Sequence, residues 1–414
     1  MKTIRTLIVI LITIFFIPVS GMSAKKYETP GNRKVSDILQ DNMIKGKNYR
    51  VRDKVVSYGY MNHFTVESDF GVFEVTGIGA LRKLLKEIRA IAVLQRIEES
   101  EAFKESVKKA AQKPVQFGKN MITDPVDTVS GVPKGVFRLF GNAYTSVRSR
   151  RDPSEDSRTE AMLSVSAYKR EYAYKFGVDV YSSNSVLQKE LNKVGWAGAL
   201  GSLSLSAALA PVGGLGYVVK YSRLAEQFSE MLRDQPPPRL RQINEEKLSR
   251  MGVSSSLARA FLDHQSFTPR HDTVIAGSLE MLKGASGRDK FIQFALSADD
   301  EESANFFQNI AEIIRGYHEK VSPIKEIKVV SGLILARAKN GSFLIPFPLD
   351  HGVWTERADR ILNNIVTSYN KSSGKKNKYE LWVAGTVSQI AQKELKKLGI
   401  KITKNVDKKI EFMY

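Results

Sequence analysis

Between Lys193 and Lys220 the chain carries no formal charge, and this stretch, Val194 to Val219, constrains the fold more than any other. A helix needs roughly 17–20 apolar residues to span a bilayer, and the segment is long enough. Its composition argues against a plain span. Gly195, Gly198 and Gly201 recur at every third position, serines interrupt the leucines, and Pro211 with Gly213, Gly214 and Gly216 forms a break. The pattern predicts two short apolar helices joined by a turn, and small residues let such helices pack closely in lipid or in protein. Buried, the segment becomes core. Exposed, it becomes an apolar patch of a size that soluble monomers rarely carry. Against a membrane, the contacting residues are expected to be Trp196, Leu203, Leu205, Leu209 and Val218, with salt-resistant attachment as the consequence.

Residues 1–23 read as a signal peptide. Lys2 and Arg5 precede the apolar run Leu7 to Val19, and small residues follow at Gly21, Ser23 and Ala24. That run is too short for a bilayer span, so cleavage is expected between Gly21 and Lys25. The formal charge is +19 for the whole chain, and +17 once Lys2 and Arg5 are removed. There is no cysteine. An exported chain of this size without disulfides suits a bacterial envelope, periplasmic or exported and peripheral to the membrane. The basic balance points to anionic lipid, another envelope polyanion or a protein partner, whereas nucleic acid is a poor match for an exported chain. Lys134, Arg138, Arg148, Arg150 and Arg151 would add a basic stripe beside the apolar segment.

The class read from the pattern is α+β. Residues 24–113 alternate as a small β-meander and then turn to helical spacing from Leu81, with Pro114 as the stop. Residues 114–235 are loop-rich and helical and contain the apolar segment. Pro236-Pro237-Pro238 marks a boundary, because prolines cannot continue a helix. Residues 239–320 read as a helical domain. Residues 321–414 read as a C-terminal α/β domain ordered β-β-α-β-α-β, with Ile327–Ala338 and Phe343–Leu349 as strands around Asn340-Gly341. Having strands and helices of its own, this last unit is expected to fold alone.

Three of the five histidines adjoin an aspartate: Asp263-His264, His271-Asp272 and Asp350-His351. Adjacent side chains diverge on a helix and alternate across a strand, so adjacency alone builds no site. Asp350 and His351 stand at a strand end with Trp354 as an apolar wall, which makes them the candidate catalytic pair of a periplasmic hydrolase. Gly385, Thr386 and Ser388 stand where a strand gives way to a helix, whose free N–H groups could bind an anionic ligand, or where Thr386 or Ser388 acts as a plain N-cap. No pattern for zinc, calcium, a serine nucleophile or a dinucleotide is present, so neither metal nor cofactor is expected. Binding at the envelope is therefore favoured over catalysis. The discriminating feature is spatial: histidines and carboxylates converging in one cleft would favour the enzyme.

Overall fold

The computed structural model describes residues 27–58, 60–111, 153–201, 203–209, 222–374 and 376–414. The expected signal peptide and the expected basic stripe around Lys134 to Arg151 lie outside them. The protein is α+β, as the pattern predicts. Six strands open the described chain: β1 (Asn32–Lys34), β2 (Lys45–Gly46), β3 (Tyr49–Val51), β4 (Lys54–Tyr58), β5 (Met61–Ser68) and β6 (Gly71–Thr76), with a single turn α1 (Asp41–Ile44) before β2. They form an antiparallel sheet in the order β1-β4-β5-β3-β2, with β6 also on β5. Alternation along β5 turns Phe64 and Val66 inward, where they meet Leu81, Leu84, Leu85 and Ile88 of α2 (Ile78–Glu99). Gly77, at φ 94°, makes the bend into that helix, a conformation glycine adopts at little cost.

The second half of α2 belongs to another core. Ala90, Ile91, Leu94 and Ile97 pack with α3 (Glu101–Ala111), α4 (Pro153–Phe176), α5 (Ser185–Gly201) and α6 (Leu205–Leu209) through residues such as Phe103, Tyr172, Leu191 and Leu203. The next helices are α7 (Arg223–Asp234), α8 (Pro237–Arg250), α9 (Ser255–Leu262), α10 (Pro269–Glu280), α11 (Arg288–Ala295) and α12 (Glu301–Lys320). The triple proline is a helix start as much as a boundary, since Pro237 and Pro238 occupy the first turn of α8, where a missing N–H costs nothing. Thr268 and Asp300 close capping boxes at α10 and α12.

The C-terminal sheet contains β7 (Ile324–Val330), β8 (Leu333–Ala338), β9 (Ser342–Phe347), β11 (Lys378–Val383) and β13 (Ile400–Thr403), in the order β13-β11-β9-β8-β7. The first three in that order are parallel and the last three antiparallel. A separate parallel pair joins β10 (His351–Gly352) to β12 (Thr386–Val387). Helices α13 (Glu356–Ser373) and α14 (Gln389–Lys397) cover one face through Leu362, Ile365, Ala391 and Leu395. The expected strand Ile327–Ala338 is instead a hairpin. It turns at Ser331 and Gly332, both with positive φ (52° and 75°), as a tight turn between twisted strands requires.

The other face of the sheet packs on helices. Ile324, Ile327, Ile334, Ala336, Leu344 and Trp382 share one hydrophobic cluster with Phe291, Ile313 and Tyr317 of α11 and α12. One hydrophobic cluster therefore includes residues from both sides of position 320. Residues 409–414 run past α10 and α12 unpaired to any strand. Side chains satisfy their backbone: Arg315 donates to the Glu411 carbonyl (2.8 Å), Gln308 to that of Met413 (3.0 Å), and the Met413 N–H donates to Glu312 (2.8 Å).

Candidate functional site

After β9 the chain reaches Asp350, which is buried. Its carboxylate accepts the Asn62 N–H at 3.0 Å and the Ile78 N–H at 3.1 and 3.2 Å. Ile78 is the first residue of α2, so Asp350 supplies from the far end of the sequence the acceptor that Gly77, as N-cap, lacks. Burial pushes the carboxyl up to about 6, against the opposing pull of those two N–H groups and of Arg82. His351 belongs to a different arrangement. Its Nδ1 lies 2.7 Å from the Thr386 hydroxyl across the β10–β12 pair, and burial pushes its pKa down. Among the described residues no hydrogen bond joins the two side chains, so the expected Asp350–His351 dyad is not assembled.

Gly385, Thr386 and Ser388 do sit at a strand-to-helix junction, but the anion-accepting groups are taken. Their N–H groups donate to the carbonyls of Leu349 (2.8 Å), Asp350 (3.0 Å) and Gly352 (2.8 Å). A Cβ on Gly385 would stand 2.0 Å from the Asp350 carbonyl oxygen, which accounts for glycine there without a ligand. Ser388 caps α14 by accepting the Ala391 N–H (3.0 Å) and donates to Glu28 (2.6 Å). The same Glu28 oxygen accepts the Trp354 N–H at 2.7 Å. The carboxylate beside this helix start is the chain's own.

The apolar segment is answered by protein. Trp196 (6% exposed) packs with Val165 and Leu200, and Leu203 (2% exposed) joins the bundle core. This placement corrects the expectation of lipid contact for both, because neither presents the surface it would need. The side chains of Leu205 and Leu209, and all of Val218, lie outside the described residues. The glycine spacing has a packing cause: Gly198 faces the Tyr168 ring and Gly201 faces Ser106, each too close to admit a Cβ. Among the described residues no helix is long and apolar enough to cross a membrane.

The five histidines are dispersed, and each has a local bond. His63 pairs with the Thr76 hydroxyl at 2.9 Å; His264 accepts the Ser266 N–H at 3.3 Å, and His318 that of Ile324 at 3.0 Å. His271 accepts the Thr268 N–H through Nδ1 (3.1 Å), so its Nε2 carries the proton toward Asn305 Oδ1 (3.1 Å). Burial, with Arg270 next to it, drives His271 down to about 4. Glu98 and Glu190 are bridged by Lys193 at 2.8 and 2.9 Å between α2 and α5. Burial and the hydrogen bond to Glu190 push Glu98 up to about 8. No group of three or more metal-ligating side chains exists among the described residues.

A site that sequence reading did not mark lies where α2, α4, α7 and α10 meet residues 411–414. Asp179, between α4 and α5, is held below its ordinary range by Lys83 (3.4 Å) and Arg270 (3.7 Å), which together outweigh its burial. Lys83 also reaches Glu301 at 3.2 Å. Beside this cluster is a cavity of about 140 Å³, to which Lys86, Arg170, Arg233 and Arg270 contribute positive charge and Asp179 and Glu411 negative charge. Its members come from five stretches of sequence separated by long intervals, and no local pattern connects them. No family model, curated protein or solved structure matches the chain.

Proposed function

We propose that the protein is exported to the bacterial cell envelope and acts there by binding, held by its positive charge against an anionic surface, of which anionic lipid is the simplest. The observation that carries this reading is the dispersal of the histidines: five rings stand in five places, each engaged by a neighbour within hydrogen-bonding distance. The candidate catalytic carboxylate, Asp350, is turned to two backbone amides. An excess of 63 basic over 44 acidic residues supports attraction to anionic head groups, which is worth about 1 kcal/mol per well-placed charge. Because Trp196 and Leu203 are interior, attachment is expected to be electrostatic and so salt-sensitive, in place of the salt-resistant insertion that the apolar segment suggested.

The test is flotation of the mature chain with phospholipid vesicles. Co-flotation with anionic but not zwitterionic vesicles in low salt, lost in high salt, is the expected result. Protein that stays at the bottom of the gradient with anionic vesicles in low salt would overturn the reading. Export is checked separately by mass spectrometry of protein from its native host, where a mature N-terminus between Met22 and Lys25 is expected.

A further inference from the structure

We propose that the protein meets the anionic bilayer through one end of its C-terminal sheet, the end at which β9, β11 and β13 begin, with Lys371, Lys376, Lys378 and Lys396 as the attaching residues. The proposal rests on the reading that the chain binds an anionic lipid surface, and it names the part of the molecule that does so. Strand register brings these lysines together. Lys378 opens β11 opposite Ser342, the first residue of β9, and Tyr379 pairs with Ile400, the first residue of β13. Helices α13 and α14 return along the sheet from the far ends of β9 and β11, so both finish at this same end. Lys371 stands in the last turn of α13, and Lys396 and Lys397 in the last turn of α14. Lys376, between α13 and β11, reaches the end of α14, where its Cε is 3.3 Å from the place a Cβ on Gly399 would take. Lys401 follows Ile400 in β13. All of these lysines are exposed.

Two carboxylates share this end. Glu394 pairs with Lys397 at 2.6 Å, and Glu380 is the register partner of Lys401 while it accepts the Tyr317 hydroxyl at 2.9 Å. Among the described residues no carboxylate lies within ion-pair distance of the other four lysines. Glu356 and Asp359 belong to the first turn of α13, and Asp359 is about 18 Å along the helix from Lys371, beyond the reach of a screened charge. Helix dipoles favour cations at C-termini, which gives Lys371, Lys396 and Lys397 a local reason to be there. Lys376, Lys378 and Lys401 lie outside helices, so the dipole does not explain them. The chemistry suits a surface more than a single anion. A discrete phosphate is held best by converging donors and a guanidinium fork, whereas these cations are lysines, solvated and spread over one end of the sheet. Clusters of about four to eight such charges are what an anionic membrane retains. The opposite end of the parallel strands is occupied, because Asp350, past β9, takes the amides of Asn62 and Ile78 and so ties the N-terminal sheet and α2 there.

The test is partition of the mature chain onto vesicles of phosphatidylcholine and phosphatidylglycerol in low salt, compared with two variants that lose the same charge in different places. Lys371→Gln, Lys376→Gln and Lys396→Gln combined should weaken binding about a hundredfold, at roughly fivefold for each lysine held at an anionic surface. Lys45→Gln, Lys47→Gln and Lys54→Gln combined, all exposed on the N-terminal sheet and its turns, should stay within about threefold of the parent. The replaced side chains are all solvated, so both variants should melt with the parent; Lys396→Gln alone, about fivefold weaker, gives a milder reading of the same surface. Equal weakening of the two triple variants would overturn this surface and leave electrostatic attachment standing, as would undiminished binding after loss of Lys371, Lys376 and Lys396. A parent chain that ignores these vesicles would overturn the surface and the lipid reading together, including the case in which duplex DNA binds in their place.

Discussion

Replacement of Asp350 by Asn tests the structural role read for the catalytic candidate. In the folded chain Asp350 holds its proton up to about pH 6, because burial disfavours the carboxylate more than the amides of Asn62 and Ile78 favour it. Unfolded, the group releases its proton near its ordinary value of 3.8. Between those values the folded state binds more protons than the unfolded one, so the stability of the fold falls as pH rises. The contribution is fully present below pH 3.8 and is lost as pH passes through about 6. At 1.36 kcal/mol per unit, the loss amounts to about 3 kcal/mol. Asn has nearly the same shape and does not titrate. Its single side-chain oxygen, placed where Oδ2 stands, can still accept from both Asn62 and Ile78, so the substitution loses one of three contacts, at a cost of about 0.5–1.5 kcal/mol that does not vary with pH. Urea unfolding of both proteins between pH 4 and pH 7, followed by far-ultraviolet circular dichroism, gives the difference curve. Subtraction cancels the other titrating groups. The variant should gain about 3 kcal/mol relative to the parent across this range. Parallel curves would refute the reasoning, since they would mean that Asp350 ionises alike in both states.

Two further outcomes follow from packing. Gly385→Ala places a Cβ 2.0 Å from a backbone oxygen that cannot swing away, so it should lower stability by about 1–3 kcal/mol; an unchanged urea midpoint would show that the Asp350–Gly385 contact is looser than described. Residues 322–414 expressed alone should give no cooperative thermal transition, because Ile327, Ala336 and Leu344 lose their helical partners; a sharp transition would show that the unit folds alone despite the shared cluster.

Local signals in the sequence were sufficient where the physics is local. Alternation along Met61–Ser68, helical spacing from Leu81 and the Asn340-Gly341 turn all appear as expected. Ser331-Gly332 escaped notice because the apolar run continues through it on both sides, and serine is a weak turn signal beside asparagine. The segment Val194 to Val219 posed a genuine ambiguity, since apolarity states that a surface must be covered and not by what. The position of Tyr168 against Gly198 and of Ser106 against Gly201 decides the matter for its first half.

The partners of the candidate site residues were illegible for a different reason, and it is instructive about where function can be sought in such a chain. Asp350, Glu28 and Asp179 each satisfy groups far away in sequence: Asp350 lies 288 residues from Asn62 and 272 from Ile78, and Ser388 lies 360 from Glu28. A buried polar group needs a partner wherever the fold can provide one, and its position in the chain carries no trace of that partner. Neighbouring Asp and His therefore suggested a pair that the fold divides between separate tasks. The converse applies to Arg170. The sequence pattern gives it no role, yet it is nearly buried, with its guanidinium donating to the Arg233 carbonyl and the Ser166 hydroxyl. Which groups hold such a charge is visible only once every element has been placed, whereas the basic composition points only to an anionic surface.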